Sequence, residues 1–171
     1  GTTTPVARLQ VTDSSVLFSA GGFAVAIPGN PPIEGAGRRM MWYADKAAFR
    51  IGYVNAAQWD KDNVGNFSIS TGANSIASGA YAFASGFNNN ASGDNTVAFG
   101  SSNTVSGSHA FAHGSTNTSS GNYTAVFGLL NNSSGATSFT AGANNRAKQY
   151  SSFVAGVFND TATTGSATLI N

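Results

Sequence analysis

Few side chains in this 171-residue chain could do chemistry, and their spacing limits what that chemistry could be. His109 and His113 stand four residues apart. On one extended strand both would point to the same face. Copies of the chain gathered around an axis could then bring imidazoles together as a metal or anion site. The simpler reading, adopted here, is a pair of neutral histidines, hydrogen-bonded or partly exposed. Trp59-Asp60-Lys61-Asp62-Asn63 sets two carboxylates close together. A Ca²⁺ loop needs a longer run of ligands and a closing Glu, so a solvated turn is expected instead. Ser and Thr are plentiful, but Asp94 is the nearest acid to the two histidines and no catalytic triad follows. Paired carboxylates for glycoside hydrolysis are absent from the region around them. The glycine-rich turns are not followed by a P-loop Lys or a helix pattern. No enzyme, resident metal or cofactor is expected.

Composition narrows the classes further. Only 9% of residues are Asp, Glu, Lys or Arg, against roughly 25% in ordinary soluble domains. Between residues 65 and 145 the one charged side chain is Asp94. A formal net charge of +1 gives no electrostatic reason to expect nucleic acid or an anionic membrane as partner. There is no Cys, so disulfides and thiol chemistry are excluded. No apolar run reaches the roughly 18 residues of a membrane helix, and this region is not expected to insert into a membrane. No signal peptide is present. The chain opens in mid-pattern on Gly1, and an excised part of a longer protein is expected.

What must position these residues is an internal repeat. Glycine stands at 65, 72, 79, 86, 93, 100, 107, 114, 121, 128, 135, 142 and 156, with one miss at Gln149. The neighbours divide this row into two series. Gly79, Gly93, Gly107, Gly121 and Gly135 follow Ser, whereas Gly72, Gly86, Gly100, Gly114, Gly128, Gly142 and Gly156 close a run of small and apolar residues. The period is therefore 14 residues with a turn at each half. Such self-similarity marks a stacked array of supersecondary units. It is too short for a helical repeat, and it lacks the apolar a and d positions of a coiled coil. Two short strands joined by two turns fit it, with glycine serving backbone angles that a Cβ resists.

Positions within a coil are counted from its first glycine. Position 4 holds Ile69, Phe83, Val97, Phe111, Ala125, Phe139 and Phe153, and position 6 includes Phe99, His113 and Phe127. Position 5 holds Ser70, Ala84, Ala98, Ala112, Val126, Thr140 and Val154. Alternation puts the large residues on one face of a strand and the small column on the other. With so little charge, the strand is expected to be buried on both faces. Phe83, Val97, Phe99, Phe111, Phe127, Phe139 and Phe153 are the candidate packing residues: one or two per coil for an interior, with the small face covered by other copies of the chain. An obligate oligomer is expected, because so thin a coil is a marginal core alone.

Position 10 is Ser75 and then Asn89, Asn103, Asn117, Asn131, Asn145 and Asn159. Stacking makes these a ladder whose amides can hydrogen-bond along the stack. Their polar surroundings place this half of the coil toward solvent, so Asn89, Asn103, Asn117, Asn131 and Asn145 form a candidate display row. Position 2 holds Phe67, Tyr81, Asn95, His109, Tyr123, Thr137 and Ser151. These could form an exposed strip for glycan or protein contact. Ordinary packing at a turn is the favoured alternative.

The domain organisation expected is 1–37 as an N-terminal β segment and Pro/Gly loop, 38–64 as a hairpin and connector, 65–162 as about seven coils, and 163–171 as a tail toward a missing stalk. Strands are expected at 7–11 and 15–19, and a loop at 28–37, where three of four prolines lie. Residues 38–54 read as a β-hairpin turning near Asp45-Lys46. An amphipathic helix over 38–51 is the alternative, disfavoured by the missing cap and the aromatic content.

Thr96-Val97-Ala98-Phe99-Gly100-Ser101-Ser102-Asn103-Thr104-Val105-Ser106-Gly107 closely resembles the head repeat of YadA-type trimeric autotransporter adhesins. Tyr81–Gly86 and His109–Gly114 are variants of that unit, and the likeness runs over about residues 65–160. The resemblance implies an all-β, left-handed parallel β-roll in a homotrimer. It also implies an extracellular place on a bacterial surface, anchored to the outer membrane through other regions, and an adhesive role. The ligand could be an extracellular matrix protein, a glycan or another surface ligand. Asn where the family often has Ser, Phe in place of Ile, and Lys148-Gln149 in place of Ser-Gly are departures. Gly1–Val11 is similar to shaft segments of phage tail-fibre-like and bacterial surface fibres. The second reading is therefore a structural spacer or receptor-binding segment of a tail-fibre-like trimer. Ice binding is a weaker third, since matched rows of Thr are absent. For the histidines, the expected outcome is a melting temperature unchanged by EDTA or by added zinc, read by differential scanning calorimetry.

Overall fold

The computed structural model describes residues 16–161. The expected strand at 7–11, the tail at 163–171 and Ser15 lie outside that span. Val16 to Ser19 form no strand, and Val16, Leu17 and Phe18 are exposed. Residues 28–36 are irregular, as their prolines and glycines dictate.

Regular structure begins with a hairpin. Strand β1 (Gly37–Tyr43) runs antiparallel to β2 (Ala48–Val54), joined by a 3-10 turn over Ala44–Lys46. Ala47 closes that turn in the left-handed region at φ 47. Carboxylates of the connector that follows and of the hairpin turn bind backbone N–H groups. Asp60 Oδ1 accepts from Gly35 N at 2.6 Å, and Asp45 Oδ2 accepts from Gly29 N at 2.9 Å.

The array then winds as stacked coils. Each coil holds a five-residue strand and a two-residue strand. In order these are β3 (Ile69–Ala73), β4 (Ile76–Ala77), β5 (Phe83–Phe87), β6 (Asn90–Ala91), β7 (Val97–Ser101), β8 (Thr104–Val105) and β9 (Phe111–Ser115). They continue with β10 (Thr118–Ser119), β11 (Ala125–Leu129), β12 (Asn132–Ser133), β13 (Phe139–Ala143), β14 (Arg146–Ala147) and β15 (Phe153–Val157). The long strands pair in parallel with a 14-residue offset, as in Ala98↔Ala112 and Gly100↔Gly114. They form a nine-stranded sheet that begins with β1 and β2, because β2 pairs in parallel with β3. The short strands form a second, six-stranded sheet. The result is a β-solenoid of about six turns. On the short-strand side the seventh coil, whose long strand is β15, adds only the isolated bridge Arg146↔Asp160 before the described residues end.

The sidedness of the strands differs from the expectation. Ala84, Ala98, Ala112, Val126 and Thr140 are fully buried and face the short sheet's Ala77, Ala91, Val105, Ser119, Ser133 and Ala147. The small column is thus the interior, and the large residues face outward. A closed loop of 14 residues leaves a gap between its two strands that Ala, Ser, Thr or Val fills and a phenyl ring would not. Ordinary face-to-face sheet packing, about 10 Å deep, is not reached.

Glycine has two separate causes. At Gly100 φ is +107, so the backbone itself favours glycine. At Gly107 φ is not positive, but a Cβ would sit 2.0 Å from the carbonyl oxygen of Gly121 in the next coil. The first series is therefore required by close approach between coils, not by the backbone angles expected of it. Gln149, where the series lapses, has no such glycine above it. Lys148 N instead donates to the hydroxyl of Thr161 at 2.7 Å, whereas the preceding Ser134 N donates to the Ala147 carbonyl.

The N-terminal end of the stack is closed by large side chains. Trp59 is fully buried, with its indole N–H donating to Ser75 O at 3.0 Å. Arg50 occupies the interior column one rung before Ser70 and is also fully buried. Its guanidinium donates to Ser68 O, Ser68 Oγ and Ala77 O at 2.8–3.0 Å. With no carboxylate beside it, burial pulls its pKa down to about 10, so it stays charged at neutral pH.

Along the interior column the hydroxyl of Thr140 is buried without a hydrogen-bond partner, between Val126 and Val154 of the adjacent coils. Thr140→Val removes that orphan at nearly constant shape. It is expected to stabilise the protein by about 1 kcal/mol, read as a higher melting temperature; a lower one would mean that the hydroxyl is satisfied.

Candidate interaction surfaces

Three rows run the length of the solenoid, and each repeats one side chain per coil. The first is the asparagine row. Asn89, Asn103, Asn117, Asn131 and Asn145 are all buried, at 0–1% exposure. The display role expected for them is thereby overturned. The polar neighbours that suggested solvent, such as Thr104 and Asn132, are the ones exposed.

The reason is hydrogen-bond accounting. Buried polar groups need partners, and each amide serves carbonyls of its own and the next long strand and the backbone N–H of the next asparagine. Asn117 Nδ2 donates to His113 O in its own coil at 3.3 Å and to Gly128 O in the next at 2.8 Å. It also donates to Asn103 Oδ1 in the preceding coil at 3.0 Å. Its own Oδ1 accepts from Asn131 N at 3.0 Å. Each amide thus ties three coils together. Ser75 starts the row with a hydroxyl, accepting from Asn89 N at 3.2 Å.

The second row is the outer face of the long sheet. Phe83, Val97, Phe99, Phe111 and Phe139 are half-buried there, while Phe127 and Phe153 are exposed at 37% and 50%. Their rings stack from coil to coil. Phe83 and Phe99 are 5.0 Å apart between centroids, Phe111 and Phe127 5.1 Å, and Phe139 and Phe153 5.1 Å. Leu129, Val157, Phe87 and Ile69 extend the face sideways, and Ile51, Tyr53, Met40 and Trp42 extend it along the hairpin. From β2 to β15 no Asp, Glu, Lys or Arg stands among these outward positions. Eight inter-strand steps make the face about 38 Å long.

The third row follows the turn before each long strand. Tyr81, Asn95, His109, Tyr123, Thr137 and Ser151 are exposed and Phe67 is half-buried. All seven hold φ between 53 and 59. Phe67 stacks on Tyr81 at 5.1 Å and His109 on Tyr123 at 4.9 Å. His109 lies in this turn, outside β9, whereas His113 lies on the outer sheet face, 6.4 Å from the Phe127 ring. The two histidines therefore do not share a strand as expected. No group of three or more His, Cys, Asp or Glu side chains suited to a metal occurs among the described residues.

Sequence reasoning missed Arg50 and Trp59 as end-closing residues. Gly52 was the available signal for the hairpin's place in the sheet. It pairs with Gly72 and has the same close approach, with a Cβ 1.9 Å from Gly72 O.

A solenoid of short parallel coils with an uncharged outer face is an architecture for assembly and contact. The YadA head domain repeat matches the chain twice, over residues 77–103 and 91–117. These residues are YadA-type head repeats, which are adhesin-like structural units. No curated protein and no solved structure matches the chain.

Replacing Asn117 by Ala would remove the side-chain donor to the His113 and Gly128 carbonyls and leave the Asn131 N–H without its acceptor. The expected cost is about 2–3 kcal/mol, measured by denaturant unfolding. A loss below about 0.5 kcal/mol would show that the row does not hold the coils together.

Proposed function

We propose that the solenoid is the head of a homotrimeric adhesin, displayed outside the cell on a bacterial surface and attaching it to other surfaces. The observation that carries this reading is the outer face of the long sheet. It is mostly apolar, interrupted by Thr71, Ser85, Ser101, His113 and Ser115 but by no Asp, Glu, Lys or Arg from β2 to β15, and much of it is exposed in the single chain. Burying it against copies of itself is the simplest use of such a face. The likeness to YadA-type repeats at 77–117 supports three as the number of copies.

In this arrangement the short-strand face and the turns remain outside. They carry Thr104, Asn132, Tyr81 and Tyr123, all exposed. Attachment would be multivalent at two levels. Each trimer offers three copies of every surface, and many trimers share one cell, so weak individual contacts add as avidity. Matrix proteins and surface glycans are the ligand classes that a neutral amide-and-hydroxyl surface suits.

Sedimentation equilibrium is expected to give a trimer. Phe127→Asp places a charge in the middle of the outer face and is expected to weaken association at least about tenfold, with circular dichroism reporting the fold. A wild-type protein that is a folded, monodisperse monomer would overturn the assembly. Beads coated with the trimer should adhere to immobilised matrix proteins or glycans above an uncoated control.

A further inference from the structure

The turn row contrasts with its sister. Each coil has a second left-handed residue, at Asn74, Asn88, Ser102, Thr116, Leu130, Asn144 and Phe158, with φ between 55 and 59. Five of those seven are Asn, Ser or Thr. Asn in particular tolerates this conformation. The first turn makes the same demand on the backbone, with φ between 53 and 59, yet four of its seven residues carry rings: Phe67, Tyr81, His109 and Tyr123. The backbone does not account for that choice. Local strain of this kind persists where something else is gained, commonly at ligand contacts.

The rings follow the coil repeat. Phe67 stacks on Tyr81 at 5.1 Å and His109 on Tyr123 at 4.9 Å, and Phe23, from the irregular N-terminal segment, packs on Phe67 at 4.8 Å with its ring tilted by 57°. Between the two groups one rung has no ring. There stands Asn95, exposed, with a side-chain amide that makes no hydrogen bond to the described residues. Tyr81 and His109 are two coil steps apart, about 9.6 Å. A ring-shaped guest over Asn95 would lie one step from each and continue the row at its own spacing.

We propose that this gap binds a neutral saccharide, with one pyranose ring seated over Asn95 between Tyr81 and His109. A sugar ring has C–H faces that pack on aromatic rings, and hydroxyls at its rim. The Asn95 amide offers both a donor and an acceptor to those hydroxyls. The neighbouring Asp94 is exposed and already accepts from Ala80 N through Oδ1 at 2.9 Å, which fixes its carboxylate at the gap. An aromatic guest without hydroxyls would leave the amide and the carboxylate unmatched. Asp94 is the one charge between residues 65 and 145, so an anionic sugar is disfavoured. The proposal rests on the adhesive reading above and names the ligand class for it.

The test uses the full chain in its native assembly, with cellohexaose, maltohexaose, mannohexaose and N-acetylchitohexaose as probes. Saturation-transfer NMR and calorimetry are expected to detect binding of at least one. Tyr81→Asn and His109→Asn should each weaken it tenfold or more, with the fold kept because Asn suits the turn. Asn95→Tyr fills the gap with the chain's own ring and should abolish binding without lowering the melting temperature. Leu130→Asn, in the sister turn, should leave binding unchanged. Three results overturn the site: no probe binds the wild type, binding is indifferent to the three substitutions at the gap, or those substitutions change the oligomeric state and so mark the row as a subunit contact. If no probe binds but the coated beads still adhere to matrix proteins, the saccharide site falls and the adhesive reading stands.

Discussion

The closeness of one coil to the next governs this molecule. At Gly79 a Cβ would lie 1.9 Å from the Gly93 carbonyl oxygen, so the backbones touch where a side chain would otherwise hold them apart. That approach locks every coil to a 14-residue offset and keeps both sheets in register. It also keeps each coil short, and a short coil has a narrow interior. Alanine, serine, threonine and valine fill it. A chain rich in Phe therefore has no internal place for its rings, and they line the outside of the long sheet. Ordinary domains place their largest apolar residues inside. Here they are half-buried at best, and the face they make is the feature from which assembly is inferred.

A narrow core also buries little apolar area, and polar groups supply much of the cohesion. The asparagine ladder does so most regularly. The amide of Asn117, for one, binds carbonyls of two coils and the amide of a third. Interior hydroxyls add local closures, such as Thr96 Oγ1 to Gly93 O at 2.6 Å and Ser138 Oγ to Gly135 O at 2.6 Å. Because these groups are buried and mutually satisfied, the network is costly to disturb at any one coil. The ends of the stack show the same economy of means. Arg50 adds a cation's donors to the Ser68 and Ala77 carbonyls near one end, and Thr161 meets Lys148 N near the other with a hydroxyl.

Periodicity made much of this legible in the sequence. The coil length, the two turns, the strand at positions 4 to 8 and the hairpin all follow from spacing and composition. Alternation separates two faces of a strand but does not say which is inside. That choice depends on the cross-section of the closed coil, which no single strand reveals, and the large residues were placed inward for that reason. The asparagines were misplaced by a related inference. Their neighbours at positions 9 and 11 are polar because they are exposed, but position 10 between them points inward and is polar because a turn must be satisfied. The first glycine series was assigned to backbone angles, whereas its cause lies in the next coil, 14 residues away.

Uniform geometry has a consequence for recognition. Every coil presents nearly the same backbone, so the repeat itself cannot distinguish one place on the rod from another. Specific contact must arise where side chains break the pattern. The outer sheet face mixes Phe, Val, Ile, Leu and Ala with a few Ser, Thr and His but holds no Asp, Glu, Lys or Arg from β2 to β15, which suits self-association without demanding a unique partner. The buried asparagine row hardly varies at all, as a structural device should not. The turn row alternates between rings and short polar groups under one constant backbone conformation. With Asp94 the single charge between residues 65 and 145, binding there would rest on shape, stacking and hydrogen bonds, none of which salt screens. A weak, neutral, short-range contact of that kind gains its strength from repetition across copies, and a rigid rod that holds identical turns at fixed spacing is well suited to supply it.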